Sequence, residues 1–177
     1  MGSEMCIRDR LSLHFNHLPQ RDVVLVETYY ATAADLAVSV AKQTHEHNSG
    51  KTNTNGRHHK SKTQPGLAPI TERERLSKTL ATVVQSHVFA EVQSHNPRAI
   101  DAGVKSDALY VLTQTGIPGA LVELSCLSNR EEEERLGTET YRTDLANALM
   151  NAIRAYVDQQ KNLPTQASDN SESSSSA

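Results

Sequence analysis

Tryptophan is absent from the 177 residues, and aromatic side chains make up only 4% of them. Aliphatic residues must therefore supply most of the packing, and a hydrophobic content of 37% suits one core of domain size. Cysteine is scarce too: Cys6 and Cys126 alone cannot build a disulfide framework. Cys126 lies in an apolar stretch and reads as a small buried hydrophobe with an inert thiol. No apolar run approaches the roughly 20 residues needed to cross a bilayer. The opening residues, Met1 to Arg10, lack the apolar centre of a secretory signal. A long basic run is also missing. Acids and bases are interspersed around a net charge of −3, which argues against a nucleic-acid partner.

Residues 1–10 are mixed and charged and run into a strand-like segment without a turn, so they read as a non-native or disordered leader. Leu11 to Asn16 alternates apolar and polar residues, the period of a strand. Asp22 to Tyr30 is rich in β-branched and aromatic residues and predicts a second strand. Leu36, Ala37, Val40 and Ala41 recur at helical spacing within 33–43. Residues 44–68 hold almost nothing apolar and predict a long polar loop, either disordered or a lid. Thr71 and Glu74 fit a capping box, and Leu76, Leu80, Val83, Val84, Val88 and Val92 continue as an amphipathic helix that ends at Asn96-Pro97. Ala108 to Thr113 predicts a strand, and Thr115 to Gly119 a turn. Ala120 to Leu124 predicts an interior strand, apolar on both faces. Ser128 and Glu131 fit a second capping box, and a last helix spans about 138–160. Residues 161–177 form a Ser-rich tail of disordered composition. This order predicts a layered α/β domain over 11–160, a sheet with flanking helices.

Two residues carry chemical interest. Glu123 is the one acidic residue in the apolar strand 120–124, and a carboxylate there is costly unless it is paired, hydrogen-bonded or metal-bound. Position alone fits a strand-end salt-bridge partner equally well. His14 faces away from Leu13 and Phe15 on its strand, which suits either a metal-binding imidazole or a hydrogen-bonded structural residue. His45, His47, His58 and His59 fall in the polar loop and read as solvated, while His87 and His95 ride on or beside the long helix.

Taken in order, four segments resemble the catalytic domain of zinc-dependent N-acetylmuramoyl-L-alanine amidases. Leu11-Ser12-Leu13-His14-Phe15-Asn16 is similar to the family's Ser-Ile-His-Ala-Asn strand, whose His binds zinc. Val26-Glu27-Thr28-Tyr29-Tyr30 resembles its Gly-x-Glu-x-Tyr-Tyr strand, and Gly103-Val104-Lys105 its Gly-Val-Lys run. Pro118 to Asn129 looks like Pro-x-x-Leu-Val-Glu-x-Gly-Phe-Leu-Ser-Asn, with Glu123 at the catalytic glutamate. The resemblance implies hydrolysis of the amide between N-acetylmuramic acid and L-alanine in peptidoglycan. It implies Glu123 as catalytic residue, His14 as a Zn2+ ligand, and a place in the cell envelope, periplasmic or extracellular, where the substrate lies.

The departures set limits. Ser125-Cys126 stands where the family has Gly-Phe, and Asp101-Ala102 where it has Asn-Arg. The family's first zinc-binding His and its Glu ligand precede the strand of His14, and nothing before Leu11 resembles them. The chain thus reads as a truncated amidase-like domain with an incomplete zinc site, expected to bind zinc weakly and to turn over little substrate. The alternative is a relative that kept the fold and binds peptidoglycan without hydrolysing it.

Overall fold

The computed structural model describes residues 8–48 and 69–162. Among these residues, four strands form one sheet: β1 (Arg10–Asn16), β2 (Leu25–Tyr30), β3 (Ile100–Ser106) and β4 (Gly119–Cys126). Five helices accompany them: α1 (Ala33–Asn48), α2 (Ile70–His95), α3 (Tyr110–Thr113), α4 (Arg130–Leu136) and α5 (Glu139–Lys161). The strand order is β1-β4-β2-β3, with β1 parallel to β4, β4 antiparallel to β2, and β2 parallel to β3. β4 is interior, as its two apolar faces require.

Alternation along β4 divides the domain into two packed layers. Ala120, Val122 and Leu124 point to one side, where they join Val84, Val88 and Val92 of α2 and Leu145, Leu149 and Ala152 of α5. Each fully buried valine of that layer contributes about 1.5–3 kcal/mol relative to exposure. Leu121 points to the other side and meets Leu36 of α1 and Leu112 of α3. Glu123 shares the Leu121 side, so it opens toward the layer of α1 and α3 and away from α2 and α5.

Several expectations need correction. The segment 108–113 holds no strand: Tyr110–Thr113 closes one helical turn, and the strand nearby is β3, which contains the Gly-Val-Lys run itself. The Thr71 capping box does not form, because α2 starts two residues earlier, with Pro69 at the N-cap and its carbonyl accepting from the Arg73 N–H at 2.9 Å. The second box is displaced by one residue. Asn129, not Ser128, caps α4, its side chain accepting from the Glu132 N–H at 3.1 Å. The leader ends sooner than residue 10: Arg10 already pairs with Gly119 in the sheet, and Asp9 accepts a hydrogen bond from the Tyr156 hydroxyl at 3.2 Å. Residues 44–48, expected in the polar loop, belong to α1, which continues to Asn48. The rest of that loop, residues 1–7 and the tail beyond 162 lie outside the described residues. Among the described residues no helix is long and apolar enough to cross a membrane.

Candidate functional site

Three side chains line one row across the sheet. His14 on β1 is the register partner of Glu123 on β4, and Glu123 is in turn the partner of Glu27 on β2. Direct register partners project to the same face, so the imidazole and both carboxylates belong to one surface. The structure therefore brings His14 and Glu123 together.

Two β-bulges adjoin the row. Between β1 and β4 the pairing jumps from His14↔Glu123 to Asn16↔Cys126, so β4 carries one extra residue beside Glu123. Between β2 and β3 it jumps from Val26↔Asp101 to Glu27↔Gly103, which leaves Ala102 as the extra residue. Gly103 takes φ +76 there, a conformation that disfavours any side chain. The Asp101 carboxylate accepts from the Gly103 N–H at 2.9 Å and from the Gln85 amide, which fixes the bulge to α2.

The two carboxylates have opposite surroundings. Glu27 is buried and fully engaged: Asn16 Nδ2 donates to it at 2.7 Å, and Lys105 Nζ forms an ion pair with it. Burial alone would raise its carboxyl, but hydrogen bonds from Lys105, Tyr29 and Asn16 outweigh it and hold the group below its ordinary 4.5. Tyr29 is pushed up to about 12 by burial and by its hydrogen bond to Glu27. Glu123 is different. Its Oε2 is buried and has no hydrogen-bond partner. Burial raises its carboxyl above 4.5, the charge on Glu27 acts in the same direction, and His14 opposes both. Glu27 was visible in the sequence as part of the Glu-Thr-Tyr-Tyr strand, yet its own strand does not show that it faces Glu123; only the register with β4 does.

Behind the row, the turn after β4 is tied down from both sides. Ser128 Oγ accepts from the Leu18 N–H at 2.9 Å, and Asn129 Nδ2 donates to the Arg21 carbonyl at 3.1 Å. These bonds hold the β1–β2 connection against the start of α4. Ser125, at the position of the family's glycine, donates to Glu132 Oε2 at 2.6 Å. Glu132 is fully buried and also accepts from Tyr141 OH at 3.0 Å and from Asn96 Nδ2 at 3.3 Å, with Arg135 as its ionic partner. Cys126 is buried, a free thiol against the Leu25 backbone, and burial raises its pKa.

The other histidines lie elsewhere. His17 is exposed just beyond β1. His87 bonds the Val83 carbonyl within α2 at 2.9 Å. His95 meets Glu91 and Asp144 at the far end of α2. His45, His47, His58 and His59 have no described side chains.

Whether zinc suits the row can be tested on the donors present. The exposed His14 ring, bonded locally to Ser12 Oγ at 2.9 Å, would be a ligand for the ion, and the partnerless Glu123 oxygen would be free to take a proton. A third donor is wanting, because Glu27 is committed to Asn16 and Lys105. Among the described residues, three metal-ligating side chains converge only at Glu91, His95 and Asp144, which belong to α2 and α5 on the opposite layer. They cannot complete a shell at His14. The described residues thus fit part of a zinc site and not a full one.

A chain from Bacillus subtilis, the uncharacterised protein YqiI, is 31% identical over 153 residues, covering 86% of this chain and 64% of that one. The N-acetylmuramoyl-L-alanine amidase AmiA of Salmonella typhimurium is 45% identical over 49 residues, 28% of this chain and 17% of AmiA. Among solved structures, the CwlD amidase of Clostridioides difficile, determined in complex with the GerS lipoprotein, superposes with a TM-score of 0.55 at 22% identity, over 89% of this chain and 58% of that one. The amidase AmiC2 of Nostoc punctiforme gives 0.52 at 20% identity, over 85% and 58%. The chain therefore has the amidase fold and spans about three-fifths of the length of YqiI, CwlD and AmiC2. The sequence pattern of the N-acetylmuramoyl-L-alanine amidases matches residues 10–155, from the first residue of β1 into α5, and the chain belongs to that family.

Proposed function

We propose that the chain takes part in hydrolysing the amide between the lactyl group of N-acetylmuramic acid and the L-alanine of the stem peptide in peptidoglycan. The observation that carries this reading is the partnerless, buried Oε2 of Glu123 in register with His14. A carboxylate with a free oxygen and a raised proton affinity is suited to general acid–base work near neutral pH. In this reading Glu123 takes a proton from the attacking water and hands it to the leaving amine. His14 is the ligand this chain offers to Zn2+, which when bound supplies Lewis acidity and a water of pKa about 7. Glu27, tied to Asn16, braces the end of β1 just beyond His14. The substrate lies outside the cytoplasmic membrane, so the envelope or the extracellular space is the proposed location.

The second reading, a wall-binding relative without turnover, is favoured by the incomplete donor set around His14. One assay separates the two. Purified peptidoglycan is incubated with the chain and zinc, and newly exposed alanine amino groups are quantified beside sedimentation of the protein with the wall. Alanine release that Glu123→Gln abolishes supports the hydrolase. Co-sedimentation without release supports the binding relative, and the absence of both release and co-sedimentation would overturn both readings.

A further inference from the structure

A second cluster of donor atoms sits on the layer away from Glu123. Glu91 and His95 are one turn apart on α2, and Asp144 reaches them from the start of α5. His95 Nε2 lies 3.1 Å from Glu91 Oε1 and 3.3 Å from Asp144 Oδ2, and the three donor atoms fall within 4.8 Å of one another. An imidazole Nε2 carries at most one hydrogen, so it can serve only one of the two carboxylates fully. Two carboxylates directed at one ring nitrogen leave an excess of acceptors that a divalent cation would satisfy. Donors about 2.0–2.2 Å from a tetrahedral ion lie about 3.3–3.6 Å apart; the 3.3 Å separation already matches and the 3.1 Å one is slightly short. The ring is held in place: it packs edge-on against Tyr141 at 4.9 Å, and Tyr141 is anchored by its bond to the buried Glu132. One nitrogen and two carboxylate donors suit zinc-class ions better than calcium or magnesium, which favour all-oxygen shells.

We propose that Glu91, His95 and Asp144 form a structural site for a zinc-class divalent cation, which clips the last turn of α2 to the start of α5. The site is separate from the His14 row and carries no part of the hydrolysis, so it stands or falls independently of the amidase reading. An ion held there ties together two helices that already share the larger core, and its binding adds to folding stability by mass action.

The test uses the full chain with His14→Ala, which removes the zinc donor of the Glu123 row. Zinc chloride is titrated by calorimetry, and Tm is followed with and without zinc. The expected result is saturable zinc binding in the His14→Ala chain, a zinc-dependent rise in Tm, and loss of both on adding His95→Gln. Asp144→Asn, a near-isosteric change at a half-buried position, should weaken binding at least about tenfold with the circular dichroism spectrum unchanged. Magnesium at the same concentration should leave Tm where it is. Zinc binding that persists equally in both ligand variants would put the ion elsewhere in the chain and overturn the proposal, as would a His14→Ala chain that takes up no zinc.

Discussion

Glu27 and Glu123 are register partners on adjacent antiparallel strands, yet one is saturated with hydrogen bonds and the other keeps a buried oxygen without any. Two carboxylates side by side would repel if both were equally exposed to each other. Here Lys105 and Asn16 absorb the charge of Glu27, and the cost of the pair falls on Glu123. That division sets the first two predictions.

Replacing Glu123 with glutamine removes a partly buried carboxylate whose Oε2 lacks a partner. Thermal or urea unfolding at pH 7 should show the variant as stable as the parent or about 1 kcal/mol more so, since sites built for chemistry are often held at a cost to stability. Any alanine release from peptidoglycan should fall by about two to four orders of magnitude, as expected on removing a general acid–base group.

Glu27 should govern part of the acid limb of stability. Its carboxyl is held below 4.5 in the folded chain, so ionised Glu27 stabilises the fold above the unfolded-state pKa, and this contribution disappears as pH falls through the lower folded value. Urea midpoints measured from pH 6 down to pH 3 should drop in the parent below pH 4.5. In Glu27→Gln the curve should start lower and fall less steeply. Parallel curves would remove Glu27 from that role.

Gly103 tests the bulge beneath the row. A Cβ at this position would meet nothing within 4 Å, so packing does not oppose alanine. The φ of +76 does, and Gly103→Ala should cost about 1–2 kcal/mol through backbone strain alone. Gly103→Asn should recover part of that loss, because asparagine tolerates the left-handed region better. Chemical denaturation of the two variants side by side measures the difference.

Ser125 tests the link between β4 and α4. Ser125→Ala withdraws one donor from the fully buried Glu132 and should cost about 1–3 kcal/mol. Glu132→Ala leaves Arg135, Tyr141 and Asn96 facing an emptied site and should cost about 3–5 kcal/mol, read as a lowered urea midpoint.

Much of this architecture was legible from side-chain periodicity. β4 declared itself by being apolar on both faces, and α2 by Leu80, Val84, Val88 and Val92 at steps of four. His14 and Glu123 stood out because polar groups on such strands need a reason. What escaped were features decided by partners far along the chain. Glu27 gains its meaning from Glu123, Lys105 and Asn16, which only register brings to it. The segment 108–113 is apolar enough for a strand, but Leu112 is wanted in the layer with Leu36 and Leu121, and one helical turn delivers it there. The cap of α4 was ambiguous by composition: Ser128 and Asn129 stand before four consecutive glutamates, and the bond to the Glu132 N–H selects Asn129.

The extra residue in β3 has a consequence for how this chain can vary. Ala102 is the residue β2 does not match, and past it Lys105 stands beside Tyr29 on the Glu27 face while Val104 packs against the α2 layer. Deleting that single codon would remove the bulge and leave the later pairs as they are, with Gly103 still opposite Glu27 and Lys105 opposite Tyr29. The lysine would remain the counter-ion of Glu27, so what this edge of the sheet holds fixed is the order Gly103-Val104-Lys105 and not the number of residues before it.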